Sequence, residues 1–198
     1  MKRILTALIL TPVALALIFW VDFWVLQIGI AAFALACAFE FRNLIGHFEL
    51  RKPAFTALAI GLCLLLLPLP FAFPVLLIGT LILLIVMLRS GDMRQTLPPA
   101  GAAILGILYI FGSWKTALLL ARLNPHWLML ALAINWVGDT AAFLTGRMFG
   151  RHKLAPTISP AKSWEGAIGS LVISVAAATA YIHWFAPEMP IAFALLLS

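Results

Sequence analysis

Charge is what this sequence has least of. Only 10% of its 198 residues are Asp, Glu, Lys or Arg, and just seven are acidic. A soluble domain carries about a quarter charged residues, and a chain this short keeps most of its residues near the surface. So few charges cannot clothe that surface, which excludes a soluble globular fold. Cysteine is as sparse. Cys37 and Cys63 sit in the apolar runs ALACAF and IGLCLLLL, without metal-ligand spacing. Each reads as a small buried hydrophobe, and a disulfide scaffold is excluded. The net charge of +6 and pI near 9.9 are not gathered into a basic run long enough for nucleic acid. Also missing are the phosphate-loop, nucleophile-elbow, paired-histidine zinc and dinucleotide motifs, and any internal repeat.

Long apolar runs are present instead: 64% of the residues are hydrophobic and the mean hydropathy is +1.10. Crossing a bilayer takes about 20 mostly apolar residues. Runs of that kind lie near 4–20, 23–39, 54–72, 74–88, 100–120, 127–145 and 167–186, and an eighth begins near Pro190. They are continuous rather than alternating, which predicts helices and not a β-barrel. The expected fold is an all-α polytopic integral membrane protein of seven or eight transmembrane helices, forming a single domain over residues 1–198. Met1-Lys2-Arg3 precedes the first run without a small-residue cleavage site leading into a polar chain, so that run reads as an uncleaved span.

The connections alternate in character. Of the thirteen Lys and Arg residues, all but Lys115 and Arg122 fall in one set: the N-terminus and the 40–53, 89–99 and 146–166 segments. The positive-inside bias places that set, and with it the N-terminus, in the cytoplasm. The excess of positive charge then reports orientation and contact with anionic headgroups. Arg122 at the end of the fifth span can snorkel, while Lys115 inside it either snorkels or faces something polar. Phe19-Trp20, Phe23-Trp24 and Trp184-Phe185 read as interfacial belt residues.

Polar chemistry concentrates in one stretch, from Asn135 to Gly166. Asp139 lies inside the sixth apolar run, where a carboxylate costs several kcal/mol unless it meets water, a cation or a partner. Asn135 is four residues before it on the same helical face, and Arg147 lies two turns further on. That pattern suits a polar cleft in which Asp139 binds a metal or orients a substrate. The competing reading is a structural ion pair of Asp139 with Arg147 or Lys115. Beyond it, Ser159-Pro160 reads as the N-cap and first residue of the seventh span. A helix start of that kind offers free N–H groups to an anion, with Arg147, Arg151, Lys153 and Lys162 close in sequence. Lys162 falls in the first turn of that expected helix, and Glu165 three residues on could pair with it. Gly146 with Gly150 and Gly166 with Gly169 allow close backbone approach. Glu40, Arg42 and Asn43 close the second span, and His47, His126, His152 and His183 are scattered without ligand spacing.

The run GDTAAFLTGRMFGRHKLAPTISPAKSWEG resembles the phosphatidate cytidylyltransferase (CDP-diacylglycerol synthase) family. The matches are Asp139, Thr140, Gly146, Arg147, Phe149, Gly150, Lys153, Leu154, Pro156, Ser159, Pro160, Lys162, Ser163, Trp164, Glu165 and Gly166. The opening KRILTALILTPVALALIF and the Ala38-Phe39-Glu40-Phe41 element are similar to the family's first spans. The resemblance implies a reaction in which a phosphate oxygen of phosphatidate attacks the α-phosphorus of CTP, giving CDP-diacylglycerol and pyrophosphate. It implies catalytic roles for Asp139 and Lys162, and substrate contacts for Asn135, Thr140, Arg147, Lys153, Ser159 and Glu165. A divalent ion, Mg2+, would sit at Asp139. The family's C-terminal basic and acidic signature is not found in these residues, so further metal ligands are expected from a C-terminal segment absent here. Expected partners are CTP, phosphatidate, the lipid bilayer and a second copy of the chain, but no nucleic acid. The expected location is the bacterial inner membrane, since no organelle-targeting leader precedes the first span. Two other classes fit the residues: an inactive truncated homologue or subunit, and a small transporter using Asp139.

Overall fold

The computed structural model describes residues 2–44, 51–89, 93–157, 159–190, 192 and 194. The side chains of residues 2–10, 44, 51–54 and 93–96 lie outside that description. His47, most of the expected eighth span, and the charged groups of Lys2, Arg3, Arg51, Lys52 and Arg94 therefore fall outside the described residues or side chains. The chain gathers into two compact units, Met1–Arg122 and Leu123–Ser198.

The first unit is wholly helical among its described residues. It comprises α1 (Lys2–Phe19), α2 (Phe23–Leu44), α3 (Arg51–Leu66), α4 (Ala72–Leu88), α5 (Met93–Gly106) and α6 (Ser113–Leu123). A single 3₁₀ turn, Leu69–Phe71, joins α3 to α4, and a π-helical segment, Ile107–Gly112, runs α5 into α6. Two expectations are corrected. The 54–72 run does not stay helical: α3 ends at Leu66, where Pro68 cannot extend it. The 89–99 segment is not all loop, because α5 begins at Met93 and carries Pro98 and Pro99 within it. Prolines are tolerated in membrane helices where neighbouring groups or local π adjustment re-satisfy the backbone.

Packing in this unit follows rings and aliphatic chains seated on glycines. The Phe111 ring occupies the space a side chain at Gly61 would take, and Ile60 does the same at Gly79. Leu64, Leu65, Leu83, Ile107 and Phe111 are buried around these contacts. Outward faces stay apolar: Leu77, Ile78, Leu81, Ile82 and Ile85 of α4 are all exposed. Cys37 is half-buried, but Cys63 is exposed. The buried reading fails for Cys63, because a small weakly polar thiol is as compatible with an outward apolar helix face as with a core.

The second unit holds α7 (Pro125–Phe149), a two-stranded antiparallel hairpin of β1 (Lys153–Ala155) and β2 (Ser159–Ser163), and α8 (Trp164–Phe185). Each of the seven apolar runs thus finds a helix. Five helical segments, Phe23–Asn43, Leu69–Leu88, Leu97–Leu123, Pro125–Phe149 and Trp164–Phe185, are long and apolar enough to cross a membrane. The protein is an all-α membrane protein with one small hairpin.

Candidate functional site at the α7–hairpin–α8 unit

The second unit is organised by what α7 turns towards α8. Gly138, Ala141 and Ile134 face inward, and α8 answers with Gly166, Ser174, Ala178 and Ile182, all buried. The approach is close enough to exclude side chains. A Cβ at Gly166 would lie 2.9 Å from the Ala142 carbonyl oxygen and 3.3 Å from the Gly146 Cα. Gly169 lies against Thr145. Small residues bring membrane helices to backbone distance, and hydroxyls then hydrogen-bond across. Ser170 Oγ donates to the Gly138 carbonyl at 2.9 Å and Ser174 Oγ to that of Ile134 at 3.4 Å. The glycine pairs expected to allow close packing do so.

With that face occupied, α7 presents the opposite one outward. Asn135, Asp139, Thr140 and Arg147 are all exposed on it, recurring at helical spacing. Asn135 Nδ2 and Thr140 Oγ1 bond back to the carbonyls of Ala131 and Trp136, each at 2.8 Å. These bonds leave the Asn135 side-chain oxygen and the Thr140 lone pairs available. Asp139 joins no ion pair among the described residues, where His152–Glu165 is the only one. A pair with Arg147 is not formed: eight residues at about 1.5 Å rise separate the two along the axis by about 12 Å. Lys115 donates instead to the carbonyls of Leu65, at 3.1 Å, and Leu67. It faces a polar partner, the end of α3, and Arg122 lies over the Phe23 ring at 5.4 Å.

α7 stops at Gly150, whose N–H donates to the Gly146 carbonyl at 3.1 Å; any side chain at 150 would collide with that same oxygen. The chain then turns into the hairpin, with Lys153 opposite Ser163 and Ala155 opposite Ser159. This corrects the expected helix start. Ser159-Pro160 is strand, and the cap is Ser163, whose Oγ accepts the Gly166 N–H at 3.2 Å. Extended backbone through Pro160 is natural, because proline needs a strand position with no ladder bond to donate. Lys162 accordingly sits in the strand just before the cap, not in the first helical turn. It is exposed, as are Arg147, Arg151 and Lys153, while Ser159 is half-buried.

Glu165 does not pair with Lys162. Its carboxylate meets the His152 ring Nδ1 at 2.7 Å and accepts the His152 backbone N–H at 3.2 and 3.3 Å. Trp164 N–H donates to the His152 carbonyl at 3.0 Å. His152 is thereby clasped from both backbone sides, tying the start of the hairpin to the first turn of α8. Sequence reasoning missed His152 and the Ser163 cap. The signal for Ser163 was available in its own pattern, a serine in extended chain just ahead of Glu165 and an apolar run. His152 carried none, since its partner lies 13 residues on.

No group of three or more His, Cys, Asp or Glu side chains comes together among the described residues. Asp139 is the only carboxylate on α7. It supplies a single carboxylate, and Mg2+ commonly takes one or two from a protein and completes its shell with waters and substrate phosphates. The arrangement is thus an acidic, hydroxyl-bearing helix face running directly into a cationic, capped hairpin. Exposed ammonium and guanidinium groups of this kind can offer compensating charge to a phosphate.

Comparison with known proteins bears on this arrangement. Residues 1–198 match the cytidylyltransferase family. The chain is 30% identical over 178 residues to the phosphatidate cytidylyltransferase of Pseudomonas aeruginosa, covering 86% of this chain and 66% of that protein. It is 44% identical over 57 residues to the phosphatidate cytidylyltransferase of Haemophilus influenzae, covering 29% of this chain and 20% of that protein. It is 44% identical over 59 residues to that of Staphylococcus aureus, covering 30% and 23%. The chain therefore spans less than two thirds of the length of these relatives. The family match runs from the first residue to the last and includes both compact units, and on that ground the chain belongs to the cytidylyltransferase family.

Proposed function

We propose that this chain is itself a phosphatidate cytidylyltransferase, which makes CDP-diacylglycerol and pyrophosphate from CTP and phosphatidate in phospholipid synthesis. The observation that carries the reading is the continuity of the second unit, in which Asp139's face of α7 leads through Gly150 into the Lys153–Lys162 hairpin. Phosphoryl-group transfers of this kind depend on positioning and charge stabilisation. A phosphate oxygen of the lipid forms a bond to the α-phosphorus of CTP, and the bond from that phosphorus to the bridging oxygen of the β-phosphate breaks, releasing pyrophosphate.

Lys162 is assigned to the charge that develops on the transferring phosphate, and Lys153, Arg147 and Ser159 to the remaining phosphate oxygens. Asn135 and Thr140 offer their free acceptor atoms to hydroxyl groups of the substrates. Glu165 supports this set from behind, holding His152 and hence the lysine-bearing hairpin. Mg2+, held by Asp139 and the triphosphate, would offset charge at the reacting phosphorus. The lipid enters sideways from the bilayer and the nucleotide from the cytoplasm. In the same reading the chain has seven or eight spans with the N-terminus cytoplasmic, acts as one membrane domain in a bacterial inner membrane, and is able to pair with a second copy.

The test is a transfer assay on the purified chain in lipid, with labelled CTP, phosphatidate and Mg2+, beside Asp139→Asn. Labelled CDP-diacylglycerol from the wild type and its loss in the variant are expected. A folded preparation that makes none would remove the claim that this chain acts alone. Transport of a cation that depends on Asp139 would replace the reading altogether.

A further inference from the structure

Three helices of the first unit meet around small residues. Ala38 of α2, Ala57 of α3 and Ala103 and Gly106 of α5 line a groove of about 50 Å³. Two aromatic rings, Phe41 and Phe111, also line it, and both are seated on glycines. A Cβ at Gly106 would lie 2.7 Å from the Phe41 ring, and Phe111 fills the space beside Gly61. The π-helical segment contributes Ile107 and Ile110 to the same wall. Such segments displace side chains from α-helical register and are frequent at functional positions.

One lining residue is charged. Arg42 stands in the last turn of α2, exposed, and joins no ion pair among the described residues. The 22 residues of α2 rise about 33 Å, which matches the hydrocarbon thickness of a bilayer. With Trp24 near one end, Arg42 at the other lies at headgroup depth. An apolar void excludes water and takes an apolar occupant. In a membrane the occupant at hand is an alkyl chain, and a guanidinium at headgroup depth pairs best with phosphate. The void takes a few methylene groups, so an alkyl chain lies along it with one stretch seated, whereas a partner helix, about 10 Å across, is too wide to enter.

We propose that this groove seats a short stretch of one acyl chain of an anionic phospholipid whose phosphate is bound by Arg42, at a site built wholly from the first unit. The occupant is a membrane phospholipid and not the reacting lipid of the second unit, so the inference stands apart from the proposed transfer. The full chain would be reconstituted in phosphatidylcholine nanodiscs carrying either phosphatidylglycerol or phosphatidylcholine with a photoactivatable acyl chain. Adducts are then mapped by mass spectrometry. Adducts are expected on groove residues of α2, α3 and α5, with about a five-fold preference for phosphatidylglycerol. Arg42→Gln should abolish the preference and keep the adducts. Ala57→Leu should lower adducts for both lipids, with circular dichroism and melting reporting whether it folds. If it does not fold, the exposed Arg42→Gln decides. Adducts spread evenly over α4, an unchanged preference in Arg42→Gln, or cross-links to a second copy would each overturn the proposal.

Discussion

Different polar groups hold each of the two units together. In Met1–Arg122, Lys115 reaches the carbonyls that end α3, and Arg122 lies on the Phe23 ring. Both charges are absorbed by neighbouring structure, and each stabilises a helix end or a ring contact. In Leu123–Ser198, hydroxyls do the structural work. Ser163 caps α8, while Ser170 and Ser174 reach across to α7. The charges Asp139, Arg147, Lys153 and Lys162 are left exposed. Asp22, Glu40, Arg42 and Arg89 of the first unit are exposed as well, but only in the second unit do exposed charges follow one another along a single stretch, from Asp139 through Arg147, Arg151 and Lys153 to Lys162. Cost sets Asp139 apart among them, since an ionisable group in a membrane span is expensive unless it has a task.

This contrast can be broken by experiment. The largest effect is expected at Asp139. In the transfer assay Asp139→Asn should reduce turnover by at least about 10²–10³-fold, the range for removing one electrostatic stabiliser, with the melting temperature unchanged. A destabilised but active variant would make Asp139 structural, like Lys115. Next is Gly166→Ala, which forces a methyl towards the Ala142 carbonyl. Overpacking of that kind costs about 1–3 kcal/mol, and it should separate α7 from α8 in denaturant titrations. Lys115→Met leaves the Leu65 and Leu67 carbonyls without their donor and should cost about 1–3 kcal/mol, while nucleotide affinity stays constant. A change in CTP affinity there would erase the distinction between the units. Ser163→Ala should cost about 1 kcal/mol through loss of the cap. The smallest is Ser170→Ala, about 0.6 kcal/mol for one hydrogen bond between membrane helices, read as a slight fall in melting temperature.

Much of this was legible before any coordinates. Each of the seven continuous apolar runs falls on helical structure, because length and hydropathy are local properties that the bilayer reads directly. Asp139, Arg147, Lys153 and Lys162 stood out for the same reason, as polar residues against an apolar background. Boundaries were harder. The 89–99 segment read as a connection, yet α5 starts at Met93 and passes through Pro98 and Pro99. Ser159-Pro160 had the composition of a helix start, and the true start came four residues later at Ser163. Both motifs suit either a cap or a short strand, and hairpin pairing across Lys153 and Ser163 decided between them.

By itself, then, the scarcity of charge determined a helical membrane protein and singled out the stretch from Asn135 to Gly166. Only the tertiary structure decided which face of α7 is available. Helical spacing puts Asn135 and Asp139 on one side, but it does not say which side meets α8. That choice follows from Gly138 and Gly166, where missing side chains let two backbones and two serine hydroxyls come together. It also decided that Glu165 holds His152 and leaves Lys162 free. Contacts between residues far apart in sequence depend on how close two helices can come, and no local pattern encodes that distance.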